Sequence, residues 1–532
     1  MMEQQRRIFL LHAARLAGLG AALGAAPGST IAQSAQAPRA QAYPFSLGVA
    51  SGAPLPDSVI LWTRILADPL NAQSTAPVAF AVRWEVAHDQ AFTRIAAKGT
   101  ATASPALAHS VHVDVKGLEP ARWYWYRFML GDAVSAVGRT RTAPAPGSMP
   151  AMLKLAVASC QHWEFGTYAA HRHIAAASPD LVAFLGDYIY EWGPYQLHHP
   201  ARAQRVNESF TLADYRARYA QYKSDPDLQA SHRAAPWIVT WDDHEVANDY
   251  SRERDELLSP GFALRRAAAY QAFYEHMPLR LTPPRAGAFG DLRIYQRYDW
   301  GQLARLHVLD DRQYRAVHAC SRKGRGGSNS ITRACKELGD PSRSMLGMEQ
   351  EAWLRDGFTS SKARWNIVAQ QTPMAQSSQL PLNTPGGGRF WNDGWDGYPA
   401  ARERLFDALR TSGAANPVIL SGDVHTFYAT DLRADFNRPV SSANPVIATE
   451  FCGTSLTSSS RPQARTLQYL DMNPHVKYGR SDKRGFMLME ITPTATTTVF
   501  LGLDEVRDPK SGVSRLARFS VADGKPGAKQ ES

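Results

Sequence analysis

The segment Leu153 to Trp192 constrains this chain more than any other. An apolar run, Leu155-Ala156-Val157-Ala158-Ser159-Cys160, ends in a lone thiol, and a second run, Leu181-Val182-Ala183-Phe184-Leu185, empties into Gly186-Asp187-Tyr188-Ile189-Tyr190-Glu191-Trp192. About twenty residues of helix-compatible sequence separate them, a spacing that predicts a β-α-β unit whose strands end side by side. Open α/β sheets carry their chemistry in the crevice beyond such ends. A thiol at one strand end and a carboxylate with a phenol at the next point to a metal.

The pattern recurs twice. Trp237-Ile238-Val239-Thr240-Trp241 ends in Asp242-Asp243-His244-Glu245, followed by Asn248, and Val418-Ile419-Leu420-Ser421 ends in Gly422-Asp423-Val424-His425. Further core strands are expected at Leu303 to Leu309 and Trp365 to Ala369. Helices are expected at Thr211 to Lys223, Leu264 to His276, Gly347 to Gly357 and Ala400 to Thr411, where apolar residues recur at helical spacing. The fold class is α/β, with sheets flanked by helices. Taken singly, a Gly-Asp after a strand is an ordinary turn, and Asp-Asp-His suits a helix N-cap. Three such ends in one chain, in addition to Cys160, make coincidence a poor explanation.

Before this region the chain reads as all-β. Val59 to Arg64, Val78 to Val86 and Val111 to Val115 are short apolar or alternating runs between Pro, Gly and Asp turns, and Trp123 to Phe128 resembles a strand of fibronectin-like sandwiches. The reading is an immunoglobulin- or fibronectin-like sandwich at 43–142, an Ala/Pro/Gly linker, a catalytic domain at 151–506 and a mobile polar tail at 507–532. The length of 532 residues agrees with more than one core.

At the start, Arg6-Arg7 followed by Ile8-Phe9-Leu10-Leu11 and a weakly hydrophobic Ala/Gly/Leu stretch has the pattern of a Tat signal, so 1–42 is taken as signal and processing region. This implies export of a folded protein to the periplasm or the exterior by the Tat machinery, with no stable membrane anchor. Four cysteines follow. In an oxidising compartment Cys320 and Cys335 are the natural disulfide pair, contributing about 3 kcal/mol for a loop of that size. Cys452 reads as a small buried hydrophobe, and a Cys160 to Cys452 bridge stays open. The net charge of +10 favours anionic partners, but its Lys and Arg residues are dispersed, which suits a small anionic substrate rather than specific nucleic acid.

Ala158-Ser159-Cys160, Gly186-Asp187-x-x-Tyr190, Trp241-Asp242-Asp243-His244-Glu245 and Ser421-Gly422-Asp423-Val424-His425, together with Gly48-Val49-Ala50-Ser51-Gly52 and Leu61-Trp62-Thr63-Arg64, resemble the alkaline phosphatase D (PhoD-type) family. That family belongs with the metallophosphoesterases and is similar at its iron site to purple acid phosphatases. Cys160 stands where those enzymes carry an Asp, and Gly-Asp-x-His replaces Gly-His-x-His. The resemblance implies ferric iron beside calcium. It implies Cys160 and Tyr190 as iron ligands, Asp187 as the bridge, and Asp423, His425 and one or both of Asp242 and Asp243 completing the shells. His244 is expected at the phosphate or the leaving group. The implied reaction is hydrolysis of phosphate monoesters, and of diesters, by attack of a metal-bound hydroxide. A phospholipase D-like diesterase and a non-catalytic metal-stabilised binding protein are the alternatives.

Overall fold

The structure is a computed structural model that describes residues 42–532 apart from 196–198 and 286. The export signal read at 1–42 lies, but for Ala42, outside the described residues. The strands Leu153–Ala158, Leu181–Leu185 and Trp237–Thr240 lie parallel and adjacent, with Leu181 opposite Leu155 and Val182 opposite Trp237. The helix Ala169–Ala176 occupies the crossover between the first two. The β-α-β unit is thus present. A second sheet sets Ala304–Val308, Trp365–Ala369, Pro417–Ser421 and Val446–Cys452 side by side, again parallel.

These strands are apolar throughout because both of their faces are covered. Side chains of period two send Leu155, Val157, Leu185 and Ile238 of one sheet, and Leu306, Ile367, Val418 and Leu420 of the other, into a core between the two sheets. The alternate residues Phe184, Trp237 and Val239 pack outward with Tyr219, Tyr270 and Phe273 of the helices Leu212–Lys223 and Phe262–His276. On the opposite outer face Val368 and Ile419 meet Leu354, Phe358 and Leu405 of Gly347–Thr359 and Pro399–Ser412. The result is a helix-sheet-sheet-helix stack, in which each fully buried aliphatic side chain contributes about 1.5–3 kcal/mol. Local signals fix the helix starts: Thr211 and Asp214 form a capping box at the first of these helices.

The N-terminal sandwich is present but not separate. Phe80–Ala87, Ile95–Ala103 and Trp123–Leu130 form one of its faces, and Val82, Val86, Tyr126 and Phe128 pack there against Val59, Leu61, Val113 and Val115. Its other face, Val49–Leu55, Ser58–Arg64 and Ser110–Lys116, continues the catalytic sheet, because Gly52 pairs in parallel with Trp237. A Cβ at Gly52 would stand 2.6 Å from the Pro278 carbonyl and 2.7 Å from that of Trp237, so only glycine permits the junction. The boundary expected at 142 therefore divides sequence, not sheet.

The tail expected to be mobile from Arg507 is corrected by the structure. Val513–Ala522 and Lys525–Glu531 are the outer strands of a ten-stranded sheet, and Ala517, Phe519, Val521 and Ala528 enter the core between the sheets. The polar residues that suggested a loose tail are the outward half of an alternating pattern. Cys320 and Cys335 form a disulfide, whereas Cys160 and Cys452 are buried free thiols, so no bridge joins that second pair. Among the described residues no helix is long and apolar enough to cross a membrane.

Candidate metal centre

The strand ends deliver their side chains to one place. Cys160 follows Leu153–Ala158, Asp187 follows Leu181–Leu185, Asp242 and Asp243 follow Trp237–Thr240, and Asp423 and His425 follow Pro417–Ser421. Cys160, Asp187, Asp423 and His425 all adopt positive φ, between 54° and 63°. Non-glycine residues rarely hold this conformation, which costs of order 1 kcal/mol or more each and is typical of functional turns. Gly186, at φ 99°, precedes Asp187, and a Cβ there would come within 2.6 Å of the Asp242 backbone nitrogen. The two turns are in contact, and the glycine lets them approach.

Three donor groups result, each with its ligand atoms within 4.8 Å of one another: Cys160, Asp187 and His425; Asp187, Asp243 and His244; and Asp242, Asp243 and Asp423. Asp187 belongs to the first two and Asp243 to the last two. Tyr190 joins the first group, donating to Asp187 Oδ2 at 2.7 Å while its hydroxyl accepts from Ser458 Oγ at 2.7 Å and lies 3.3 Å from His425 Nε2. Asp187 Oδ1 and Asp242 Oδ2 are buried without a hydrogen-bonding partner. Such atoms are costly unless a cation meets them. Burial and the Asp187 carboxylate push the Cys160 thiol well above its usual range, and the same two causes raise the Tyr190 phenol. For Asp187 itself burial acts upward, but His244 and His425 outweigh it and bring the carboxyl down to about 2. A charged carboxylate among groups that need a cation to ionise is a donor set that fits hard or borderline metal ions.

Several residues that hold the centre escaped the sequence reading. Glu245, fully buried, accepts from the backbone nitrogens of Asp187 at 3.1 Å, Tyr188 at 2.5 Å and Asp242 at 2.8 Å, locking two strand ends together. Arg312, also fully buried, donates through Nε to Asp242, through Nη2 to Asp423 at 3.1 Å and through Nη1 to Asp393 at 2.5 Å, and its Nη2 lies 3.7 Å from Asp243. Asp393 is held in turn by Arg315 and His318, each at 2.8 Å. Glu191 accepts from His244 Nδ1 at 2.8 Å. Glu191 and Glu245 each stand at a motif's edge and Arg312 follows the end of the strand Ala304–Val308, but nothing in sequence ties Asp393 to the strand ends.

The centre forms the floor of a cavity of about 760 Å³. Asp187, Asp243, His244, Asn248, Asp423 and His425 line it, whereas Asp242 does not, its carboxylate being turned to Arg312. Cys160 and Tyr190 lie beneath the surface, 1% and 2% exposed. The aromatic segment near Trp391 divides: Arg389 and Trp391 reach the cavity mouth, and Trp395 packs in the core under the helices.

Comparison with known proteins agrees with this architecture. The family model for the PhoD-like phosphatase matches residues 155–500, and that for the PhoD-like phosphatase N-terminal domain matches residues 30–144. The chain is 42% identical over 541 aligned positions to alkaline phosphatase D of Bacillus subtilis (strain 168), covering 99% of this chain and 89% of that one. A solved structure of PhoD superposes with a TM-score of 0.87 at 42% identity, over 93% of this chain and 94% of that one. Fold and site thus define a metal-dependent phosphoric ester hydrolase that acts on small phosphate esters. The chain belongs to the PhoD-like phosphatase family.

Proposed function

We propose that this protein is an exported alkaline phosphatase that cleaves phosphate monoesters and diesters with ferric iron and calcium at the cavity floor. The observation that carries the reading is the position of Asp187, one carboxylate shared by two donor groups of different character. Cys160, Tyr190, Asp187 and His425 supply a thiol, a phenol, a carboxylate and an imidazole, a set suited to ferric iron. Asp187 and Asp243 of the second group, with Asp423 of the third, supply oxygen ligands suited to calcium, and Asn248 lines the same cavity. When bound, such a pair supplies Lewis acidity that lowers the pKa of water and neutralises phosphoryl oxygens.

The chain's own residues prepare the rest. Arg312 offsets the repulsion among Asp242, Asp243 and Asp423 and holds Asp242 away from the cavity. His244 packs against the rings of Tyr190 and Trp192, whose centroids lie 4.2 Å and 4.4 Å away. Its Nδ1 is engaged by Glu191, which leaves Nε2 to carry a proton toward the departing oxygen. Burial works against the imidazolium, but Glu191, Asp243 and Asp187 raise its pKa well above the ordinary value. Export rests on Arg6-Arg7 and the Ala/Gly/Leu stretch after them.

The test joins metal analysis to a substrate panel. Protein purified without added metal should contain iron and calcium, absorb in the visible through Cys160 and Tyr190, and hydrolyse both an aryl phosphate and a bis-aryl phosphate. Asp187→Asn should lose both metals and at least 10³-fold in kcat/KM, since two donor groups fail together. Retention of metal and of turnover by that variant would falsify the bridging role. Cys160→Ser with an unchanged visible spectrum would remove the thiol from the iron shell.

A further inference from the structure

The cavity carries charge of both signs at different depths. Asp187 and Asp243 are buried and Asp423 half-buried in its lining, whereas Arg389 and Arg465 are exposed and Arg461 half-buried. Among the described residues none of the three arginines makes an ion pair. The side-chain partners found for them are neutral: Arg389 donates to Gln379 at 3.1 Å, and Arg461 stands 5.8 Å from the Tyr469 ring. Of the two arginines that line a second cavity, Arg202 is paired with Asp225 at 2.7 Å and Arg205 has no ion pair among the described residues.

The helix Gln463–Met472 explains how the mouth is built. Arg465, Gln468, Tyr469 and Met472 recur at helical spacing and line the cavity as one face of that helix, with Arg461 just ahead of it. The helix has no acidic residue in its first turn, so nothing in it neutralises Arg461 or Arg465. Trp391, 46% exposed, and Leu380 line the same cavity. Three uncompensated guanidinium groups next to a bare indole make a surface for an organic group that bears its own negative charge. With the scissile phosphate at the donor groups, as proposed above, this surface faces what the phosphate is attached to.

We infer that Arg389, Arg461 and Arg465 are specificity-determining residues, selecting phosphate esters whose leaving group carries a second anionic group. The inference rests on the phosphatase reading above and adds the class of leaving group. Each arginine that meets the second anion should be worth about tenfold in kcat/KM, equivalent to about 1.4 kcal/mol.

Phenyl phosphate and 4-(phosphonomethyl)phenyl phosphate differ only by an anion that cannot itself be hydrolysed, and the metal-loaded full chain is assayed on both. The wild type should prefer the phosphonate ester by at least tenfold in kcat/KM, and 0.5 M NaCl should shrink that preference. In Arg461→Gln/Arg465→Gln, and to a lesser degree in Arg389→Gln, the ratio between the substrates should approach one. A ratio near one in the wild type, or a ratio that the substitutions leave intact, overturns the inference. Calorimetric binding of the two esters separates this failure from that of the underlying reading. If neither ester is turned over, the phosphatase reading falls, while tighter binding of the phosphonate ester that is lost in the double variant still upholds the arginine site, and equal binding of the two overturns it.

Discussion

Glu191 Oε2 accepts a hydrogen bond from His244 Nδ1 at 2.8 Å, while Glu191 Oε1 accepts from the Asn248 backbone nitrogen at 2.8 Å. One carboxylate thus fixes both the ring of His244 and the start of the segment after it. The strand-end turn that carries Asp187 and Tyr190 runs directly into Glu191, so the ring is aligned with the donor groups by the same few residues. Replacing the carboxylate by an amide keeps the shape and removes the charge. Glu191→Gln should lower kcat on an alkyl phosphate on the order of 10–100-fold and affect an aryl phosphate with a good leaving group much less, because proton delivery matters most for poor leaving groups. Its sign with pH is also set. A histidine whose pKa is raised by a carboxylate is protonated up to that raised value, so loss of the charge should move the alkaline limb of the rate profile to lower pH. Equal losses on both substrates with an unmoved profile would reduce Glu191 to a structural support.

Arg312 is the internal counter-charge of the acidic cluster, with contacts to Asp242, Asp243, Asp393 and Asp423 and no exposure to solvent. Removing one partner of a buried ionic network costs about 3–5 kcal/mol, because the charges left behind are unpaired. Arg312→Met should show that loss in denaturant unfolding of metal-free protein. Calcium should restore part of it, since a cation in the cluster does what the guanidinium did, and Asp242→Asn in the same chain should restore another part. Denaturation midpoints that ignore both calcium and the second substitution would show that Arg312 acts through packing alone.

Much of this centre was legible because its ligands sit at the ends of apolar runs. Cys160, Asp187, Asp243, Asp423 and His425 each follow a buried strand; parallel pairing aligns the first three strand ends, and stacking of the second sheet on the first brings in Asp423 and His425. What was not legible is held by contacts distant in sequence. Arg312 reaches Asp242 across 70 residues and Asp393 across 81, and no local pattern marks such pairs. Ser458, which donates to the Tyr190 hydroxyl, lies in a Ser/Thr-rich loop that reads as an ordinary connection. Asp242 and Asp243 look alike in the sequence, yet the turn after Thr240 sends one to Arg312 and the other to the cavity. In the fold, strands that are apolar on both faces announced themselves, whereas Val513–Ala522, apolar on one face and rich in Arg and Ser on the other, did not.

Lys223 ties stability to pH away from the centre. It ends the helix Leu212–Lys223 fully buried, with Nζ 4.2 Å from the Trp62 ring and 3.5 Å from His232 Nε2, and burial lowers its pKa from 10.5 to about 7. A lysine with a depressed folded pKa binds fewer protons folded than unfolded between those two values. Its unfavourable contribution is therefore full below pH 7 and vanishes as pH rises toward 10.5, at about 1.4 kcal/mol per unit of difference as an upper limit. Lys223→Met should be more stable than the wild type by a few kcal/mol at pH 6, with the gap closing steadily through that window. Unfolding curves at pH 6, 8 and 10 check this, and a gap independent of pH would mean that Lys223 carries the same charge folded as unfolded, so that burial does not depress its pKa.

Phe519 decides whether the last strands belong to the fold. It is 1% exposed and packs with Phe451, Tyr478 and Phe500 at centroid distances of 6.0, 5.5 and 5.3 Å, joining strands of both sheets. The strand that carries it pairs with Ala495–Leu503 along nearly its whole length, opposite Phe500 by way of Ala517. Phe519→Ala opens a cavity where two sheets meet and should cost about 3–5 kcal/mol. Truncation after Arg507 removes Ala517, Phe519, Val521 and Ala528 from the core at once and leaves Ala495–Leu503 as a bare, apolar edge, so that shortened chain should aggregate rather than fold. Arg518, on the same strand, pairs with Glu531 while 41% exposed. Arg518→Ala should therefore change stability by under about 1 kcal/mol. If Phe519→Ala and Arg518→Ala unfold at the same denaturant concentration as the wild type, the C-terminal strands contribute nothing to the core and the segment is the loose tail its composition suggested.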